Sequence, residues 1–214
     1  MTILSKKITD KWNIKLFSTY ASTEMSTAFT ECEHSIGGHH HPELIIVEVL
    51  DENNKLVKNG ESGELTFTTL GIEAMPLIRF KTGDIVQLHT NPCPCGRNTL
   101  RVGPVIGRKQ QMIKYKGTTL YPPAMIDILN NFDTVDNYII IISTNELGTD
   151  EILIKISVKQ QSEALLLKIK DHFRAKLRVT PKIEFTGKEE LHSLIYNPMS
   201  RKPIHFFDNR KNLI

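Results

Sequence analysis

From residue 43 onward, short apolar runs alternate with polar turns at the spacing of strands. The run "ELIIVEVLD" (43–51) is rich in β-branched residues and predicts a strand. "ENNKLVKNGESG" follows as a polar connection with a turn at Asn59–Gly60, and "ELTFTTL" then alternates cleanly. Together these predict a β-hairpin with a long tip. "PLIRFKTGDIVQLHT" predicts a strand, a turn at Thr82–Gly83–Asp84 and a further strand. Upstream, residues 7–16 read as the end of a helix and a short strand, with Trp12, Ile14 and Leu16 alternating. "YASTEM" (20–25) would sit on the turn leaving that apolar stretch.

The period changes near "VIGRKQQMIKYKG". Pro122–Pro123 opens a helix predicted over 122–131, with Met125, Ile126 and Leu129 at helical spacing. Strands are expected at 137–144 and 151–158 around the turn "NELGTD", then a helix over 161–177 and a last strand in "PKIEF". This is a βαββαβ-like unit. The expected fold class is mixed α/β: a β-rich piece over 1–106, then a compact α+β domain over 107–214.

Composition narrows the function classes. With 40% hydrophobic and 24% charged residues, the 214-residue chain is an ordinary globular sequence. A net charge of +3, without a dense Lys/Arg run carrying aromatics, gives no footprint for nucleic acid. No apolar stretch nears the ~20 residues of a membrane span. "MTILSKKITDKW" lacks a signal-peptide core, and three cysteines cannot all pair, so a cytoplasmic protein with reduced thiols is expected.

Two clusters carry candidate chemistry. "ECEHSIGGHHHPE" and "NPCPCGRN" hold all three cysteines and four of the eight histidines. A C-x-C knuckle between prolines points two thiolates at one centre, and Cys32 with one imidazole would complete a closed structural Cys₃His zinc site with Cys93 and Cys95. The bland alternative is three buried thiols and a solvated histidine run. Strand alternation sends His39 and His41 one way and His40 the other, and His34 is near Cys32 in sequence, so the fourth ligand stays open on spacing alone. In "YASTEM", Ser22 and Thr23 can cap free backbone amides. They can also meet phosphate oxygens while Glu24 holds magnesium.

The order "YASTE", "RFKTGD", "GRKQQMIKYKGTTLYPPA", then a lysine near the C-terminus, resembles the adenylate-forming ligase superfamily, in particular the phenylacetate–CoA ligase family. "PCPCGR" and "ECE…GGH" are similar to that family's zinc-bearing branch, over about residues 10–211. The resemblance implies ATP-dependent adenylation of a carboxylic acid, such as an aryl acid, followed by thioester formation with coenzyme A. It places Tyr20 and Ser22 at the nucleotide, Thr23 on the α-phosphate, Glu24 on Mg²⁺, and Asp84 and Arg108 at the ribose. Lys114, Tyr115 and Gly117 would line the pantetheine tunnel, and Lys202 would meet charge developing at the α-phosphate. Aligned through Glu31–Cys32, the family's GxH falls on Gly37 and His39, which favours His39 as the fourth ligand. Ala21, Gln110 and Arg201 stand where relatives have glycine, Asp or Lys, and glycine.

Relatives also carry a Ser/Thr/Gly-rich phosphate loop upstream of "YGSTE", which these residues do not include. A chain without it is expected to be inactive until the missing half is supplied, and its sheet would have an edge for a partner or second copy to cover. The alternative expectation is a zinc-stabilised binding or interaction module without turnover. Neither a nucleic-acid nor a membrane partner is expected.

Overall fold

In a computed structural model, described over residues 2–198, 200 and 202–210, the chain divides into two compact units. One is Ile8–Gln110; the other runs from Gln111 and includes the residues up to Lys7. Both contain strand and helix, and over the described residues taken together strand outweighs helix.

Helix α1 (Ile3–Trp12) is followed by strands β1 (Thr19–Ser22), β2 (Ser26–Glu31), β3 (Gly38–His40), β4 (Ile45–Leu50), β5 (Ser62–Thr69), β6 (Phe80–His89), β7 (Arg101–Val102) and β8 (Gly107–Arg108). The strands form one sheet in the order β1-β2-β3-β7-β6-β5-β4, with β8 also pairing β6. Its core gathers Phe29, Ile45, Val49, Leu65, Phe67, Val86 and Val102. Sequence and structure agree on the β4–β5 hairpin, whose strands pair antiparallel from Ile45↔Thr69 to Leu50↔Glu64.

Two expectations in this unit are corrected. No strand occupies 13–16: Asn13 turns the chain out of α1 at φ +51°, and Trp12, Ile14 and Phe17 stay exposed. Their alternation had no neighbouring strand to pack it, and pairing begins only at Thr19↔Thr30. "KTGD" is likewise not a hairpin turn. β6 runs unbroken, and its register steps from Glu64↔Ile85 to Thr66↔Lys81. Thr82, Gly83 and Asp84 therefore stand against Leu65 alone, a bulge that Gly83 permits at φ +76°. The Thr82 hydroxyl fixes it, donating to the Leu65 carbonyl (3.0 Å) and accepting from the Asp84 amide (3.0 Å).

In the other unit, β9 (Ile113–Tyr115) and β10 (Thr118–Leu120) form a hairpin. Next come α2 (Pro122–Asn130), β11 (Val135–Thr144), β12 (Asp150–Val158), α3 (Glu163–Leu177), β13 (Lys182–Phe185), α4 (Lys188–Ile195) and β14 (Phe206–Asp208). The sheet order is β13-β12-β11-β14, with a central antiparallel pair and parallel outer pairings. Sequence anticipated α2, β11, β12, α3 and β13 but neither α4 nor β14. The unbroken apolar run in "NYIIIIST" has a two-sided cause. Ile140 and Ile142 join the core with Met125, Ile169 and Phe173, while Ile139 packs against Leu191 and Ile195 of α4. Ser162 caps α3, its hydroxyl accepting from the Leu165 amide (3.2 Å). No helix among the described residues is long and apolar enough to cross a membrane.

Candidate functional site

Three stretches far apart in sequence meet at the β6 bulge. The bulge aims the Asp84 carboxylate at Tyr20 of β1, whose hydroxyl donates to it at 2.5 Å. Arg108 of β8, the register partner of Asp84, brings its Nε to 3.4 Å of the same carboxylate. The Tyr20 ring stacks on Phe29, centroids 5.7 Å apart. Burial, then the Asp84 carboxylate, hold the phenol protonated well above its ordinary range. Asp84 is largely enclosed and Arg108 is exposed, so the carboxylate is the fixed member of the group.

Thr23 and Glu24 lie on the tight turn between β1 and β2, both exposed, and Met25 is buried beneath them as the anchor. The Ser22 hydroxyl holds the Glu24 carboxyl below the usual carboxylate range. The turn therefore offers an ionised carboxylate and a hydroxyl to solvent, which suits a cation or phosphate oxygens.

The second constellation is formed by the residue that follows β2, by β3 and by the 91–96 loop. Ligand atoms of Cys32, His39, Cys93 and Cys95 all lie within 4.8 Å of one another. Cys32 Sγ is 3.6 Å from Cys93 Sγ, and Cys95 Sγ is 3.4 Å from His39 Nε2. A tetrahedral zinc with ordinary bond lengths has S···S and S···N edges of about 3.8 and 3.6 Å, so this donor set fits such an ion closely. His39 Nδ1 lies 2.9 Å from the Thr99 hydroxyl, which orients the ring with Nε2 toward the sulfurs. Burial, then Arg97 and Arg101, keep the imidazole neutral, as a ligand must be. The Arg97 amide foremost pulls the Cys95 thiol down. At Cys93 the Cys95 amide favours the thiolate, but burial and the neighbouring sulfurs outweigh it.

The loop geometry explains "SIGGHHH". Gly37 sits at φ +73°, and a Cβ there would stand 2.6 Å from the Val102 carbonyl oxygen, so the chain passes β7 too closely for any side chain. His40 turns elsewhere, Nδ1 lying 3.3 Å from the Leu100 carbonyl oxygen, and His41 lies against Glu43.

The remaining predicted residues belong to the other unit. Lys114 and Tyr115 end β9, and Gly117 closes the hairpin at φ +78°. The Lys114 amide donates to Asp150 (2.8 Å), and the Tyr115 hydroxyl reaches the Thr180 carbonyl (3.3 Å). Lys202 is exposed in the irregular segment before β14, its amide 3.3 Å from the Ser200 hydroxyl. Arg201 lies outside the described residues. Sequence reasoning missed Arg210, which donates to Asp208 (2.6 Å), Asp150 (3.1 Å) and the Met112 carbonyl (2.8 Å), and so ties β14 to the β9 hairpin. The terminal "DNR" was its only signal.

Comparison with known proteins bears on these motifs. A phenylacetate-coenzyme A ligase of Thermus thermophilus is 31% identical over 161 residues, covering 73% of this chain and 36% of that protein. One from Aromatoleum evansii is 26% identical over 155 residues, covering 68% and 33%. By sequence, this chain is related to the phenylacetate–coenzyme A ligases. The match spans about a third of those relatives' own length. No family model matches. Among solved structures, 2-hydroxyisobutyryl-CoA ligase in the postadenylation state with R3-HIB-AMP superposes with a TM-score of 0.80 at 23% identity, over 96% of this chain and 45% of that one. The anthranilate CoA ligase AuaEII with anthranoyl-AMP gives 0.64 at 19% identity, over 86% and 38%. At such identities the likeness is one of fold, that of the adenylate-forming CoA ligases.

Proposed function

We propose that this chain forms the adenylate-handling part of an AMP-forming acid–CoA ligase. The observation that carries the reading is the convergence of Tyr20, Asp84 and Arg108, from three separate motifs, on one enclosed carboxylate. The Asp84 carboxylate, aimed by a bulge, is an acceptor for the two ribose hydroxyls, with Tyr20 steadying it and Arg108 beside it. Thr23 on the exposed turn would donate to the α-phosphate. Glu24 would hold magnesium, which when bound neutralises phosphate charge.

In the reaction, a carboxylate oxygen of the acid attacks the α-phosphorus of ATP and pyrophosphate leaves. The thiol of coenzyme A then attacks the acyl carbon, and AMP leaves with the bonding electrons. Lys202 would meet charge developing at the α-phosphate in the first step, and Lys114, Tyr115 and Gly117 would flank the pantetheine in the second. The relatives' names favour an aryl acid such as phenylacetate. Cys32, His39, Cys93 and Cys95 would hold a structural zinc, closed to water because all four positions are filled by protein.

Calorimetric titration with AMP tests the reading. Wild type should bind and Asp84→Asn should bind at least tenfold more weakly, a loss of about 1.4 kcal/mol; equal binding would remove the assignment. With the rest of a ligase supplied, Lys202→Ala should lose acid-dependent pyrophosphate release. The Cys–His quartet and the off-pattern Ala21 and Gln110 favour a second reading, a zinc-stabilised interaction module. AMP binding without turnover in the completed protein would select it.

A further inference from the structure

Beside the Cys–His centre stands a buried cation whose charge no carboxylate among the described residues answers. Arg101 of β7 is only 3% exposed, in the interior of the sheet. Its register partners are His39 on one side and His89 on the other, so the three side chains share one face, with neighbouring Cβ atoms about 5 Å apart. Nη1 donates to the Ile36 carbonyl (3.2 Å) and Nη2 to the Asn91 carbonyl (2.8 Å), while Nε has no partner among the described residues. Among those residues it forms no ion pair with Asp or Glu. A guanidinium held out of water in this way is strongly unfavourable unless opposite charge lies near.

The two carbonyls come from the segments that deliver the ligands. Ile36 lies between Cys32 and His39, and Asn91 lies two residues before Cys93. A divalent zinc bound by three thiolates and a neutral imidazole leaves the centre with one negative charge. We propose that Arg101 is the resident counter-charge of the Cys32–His39–Cys93–Cys95 centre, a buried cation matched to a metal–thiolate group of opposite sign. The inference rests on the zinc reading. Arg97 is closer in sequence to Cys95 but exposed, so water and salt screen it. Arg101, walled in by β3, β6 and β7, keeps its full effect on the centre.

The test is a chelator-competition titration with zinc on the 214-residue chain as wild type, Arg101→Met and Arg101→Lys, with circular dichroism reporting the fold. Wild type should take up one zinc per chain. Arg101→Met should bind it ten- to a hundredfold more weakly. Arg101→Lys keeps the charge and should stay within about threefold of wild type. Equal affinity in Arg101→Met would overturn the proposal, and so would an Arg101→Lys loss of tenfold or more. Should Arg101→Met fail to fold, Arg101→Gln, which also removes the charge, takes its place, and equal affinity in it would likewise overturn the proposal. A wild-type chain that takes up no zinc would overturn the metal reading itself, before any variant is compared.

Discussion

The Tyr20–Asp84 contact is the most direct place to test the energetics of the proposed nucleotide corner. Tyr20→Phe removes one hydroxyl and keeps the ring, so the stack on Phe29 survives and the 2.5 Å hydrogen bond is lost. Hydrogen bonds to a charged group contribute roughly 1.5–3 kcal/mol when buried. Asp84 is 15% exposed, so water recovers only part of the lost bond. The other partner, Arg108, is 71% exposed at 3.4 Å, a geometry that contributes little. The expected loss is therefore about 2 kcal/mol in the Ile8–Gln110 unit, or roughly 8–16 °C for a unit near 100 residues. Urea denaturation and scanning calorimetry on wild type and Tyr20→Phe would measure it. A difference under about 0.5 kcal/mol, within the range of neutral surface changes, would refute the view that this bond holds Asp84 in place.

Other consequences follow from the same geometry. Stripping metal with a chelator, or replacing Cys93 by Ser, should lower the melting temperature of the Ile8–Gln110 unit by about 5 °C or more, and zinc added back should restore the stripped wild type only. Phe173→Ala empties a fully buried position between α3 and the sheet and should cost roughly 3–5 kcal/mol in urea denaturation; a loss below about 1 kcal/mol would contradict the packing. The Arg210 guanidinium holds the Asp208 carboxyl below its ordinary range. The folded state thus binds that proton less readily than the unfolded chain, so the pair's stabilisation is full above about pH 4 and is lost as pH falls through the lower folded value. The stability advantage of wild type over Arg210→Met should shrink along that descent, and an advantage that grows toward acid would reverse the sign.

What the sequence disclosed, it disclosed through period and spacing. The β4–β5 hairpin, α2, β11, β12 and α3 each carry enough apolar residues to set their own pattern. The four candidate metal ligands were marked by C-x-C spacing and a resemblance, and the structure brings their ligand atoms together. Short elements were hidden. "TYAS" and "FFD" are strands of 4 and 3 residues that only pairing stabilises, and α4 buries just Leu191 and Ile195. "KTGD" misled because glycine beside aspartate suits a turn and a bulge equally; the choice is made by β5 alongside, which carries the ladder past it. Arg101 was invisible for a related reason: nothing local distinguishes an arginine at the surface from one enclosed between β6 and β3, the latter about 60 residues away.

β6 also sets limits on how the protein can vary in length. Asp84 and His89 lie five positions apart on this one strand, roughly 17 Å along a rigid backbone. Losing one residue from Ile85–Leu88 would turn Asp84 away from Tyr20, or pull His89 out of line with Arg101, because each single step reverses the face. The bulge has already absorbed its irregularity and has none to spare. Residues 52–56, exposed at the tip of the β4–β5 hairpin, face no such restriction. Inserted residues should be tolerated there at small cost, whereas a deletion of a single codon in β6 should uncouple one chemical end of the strand from the other.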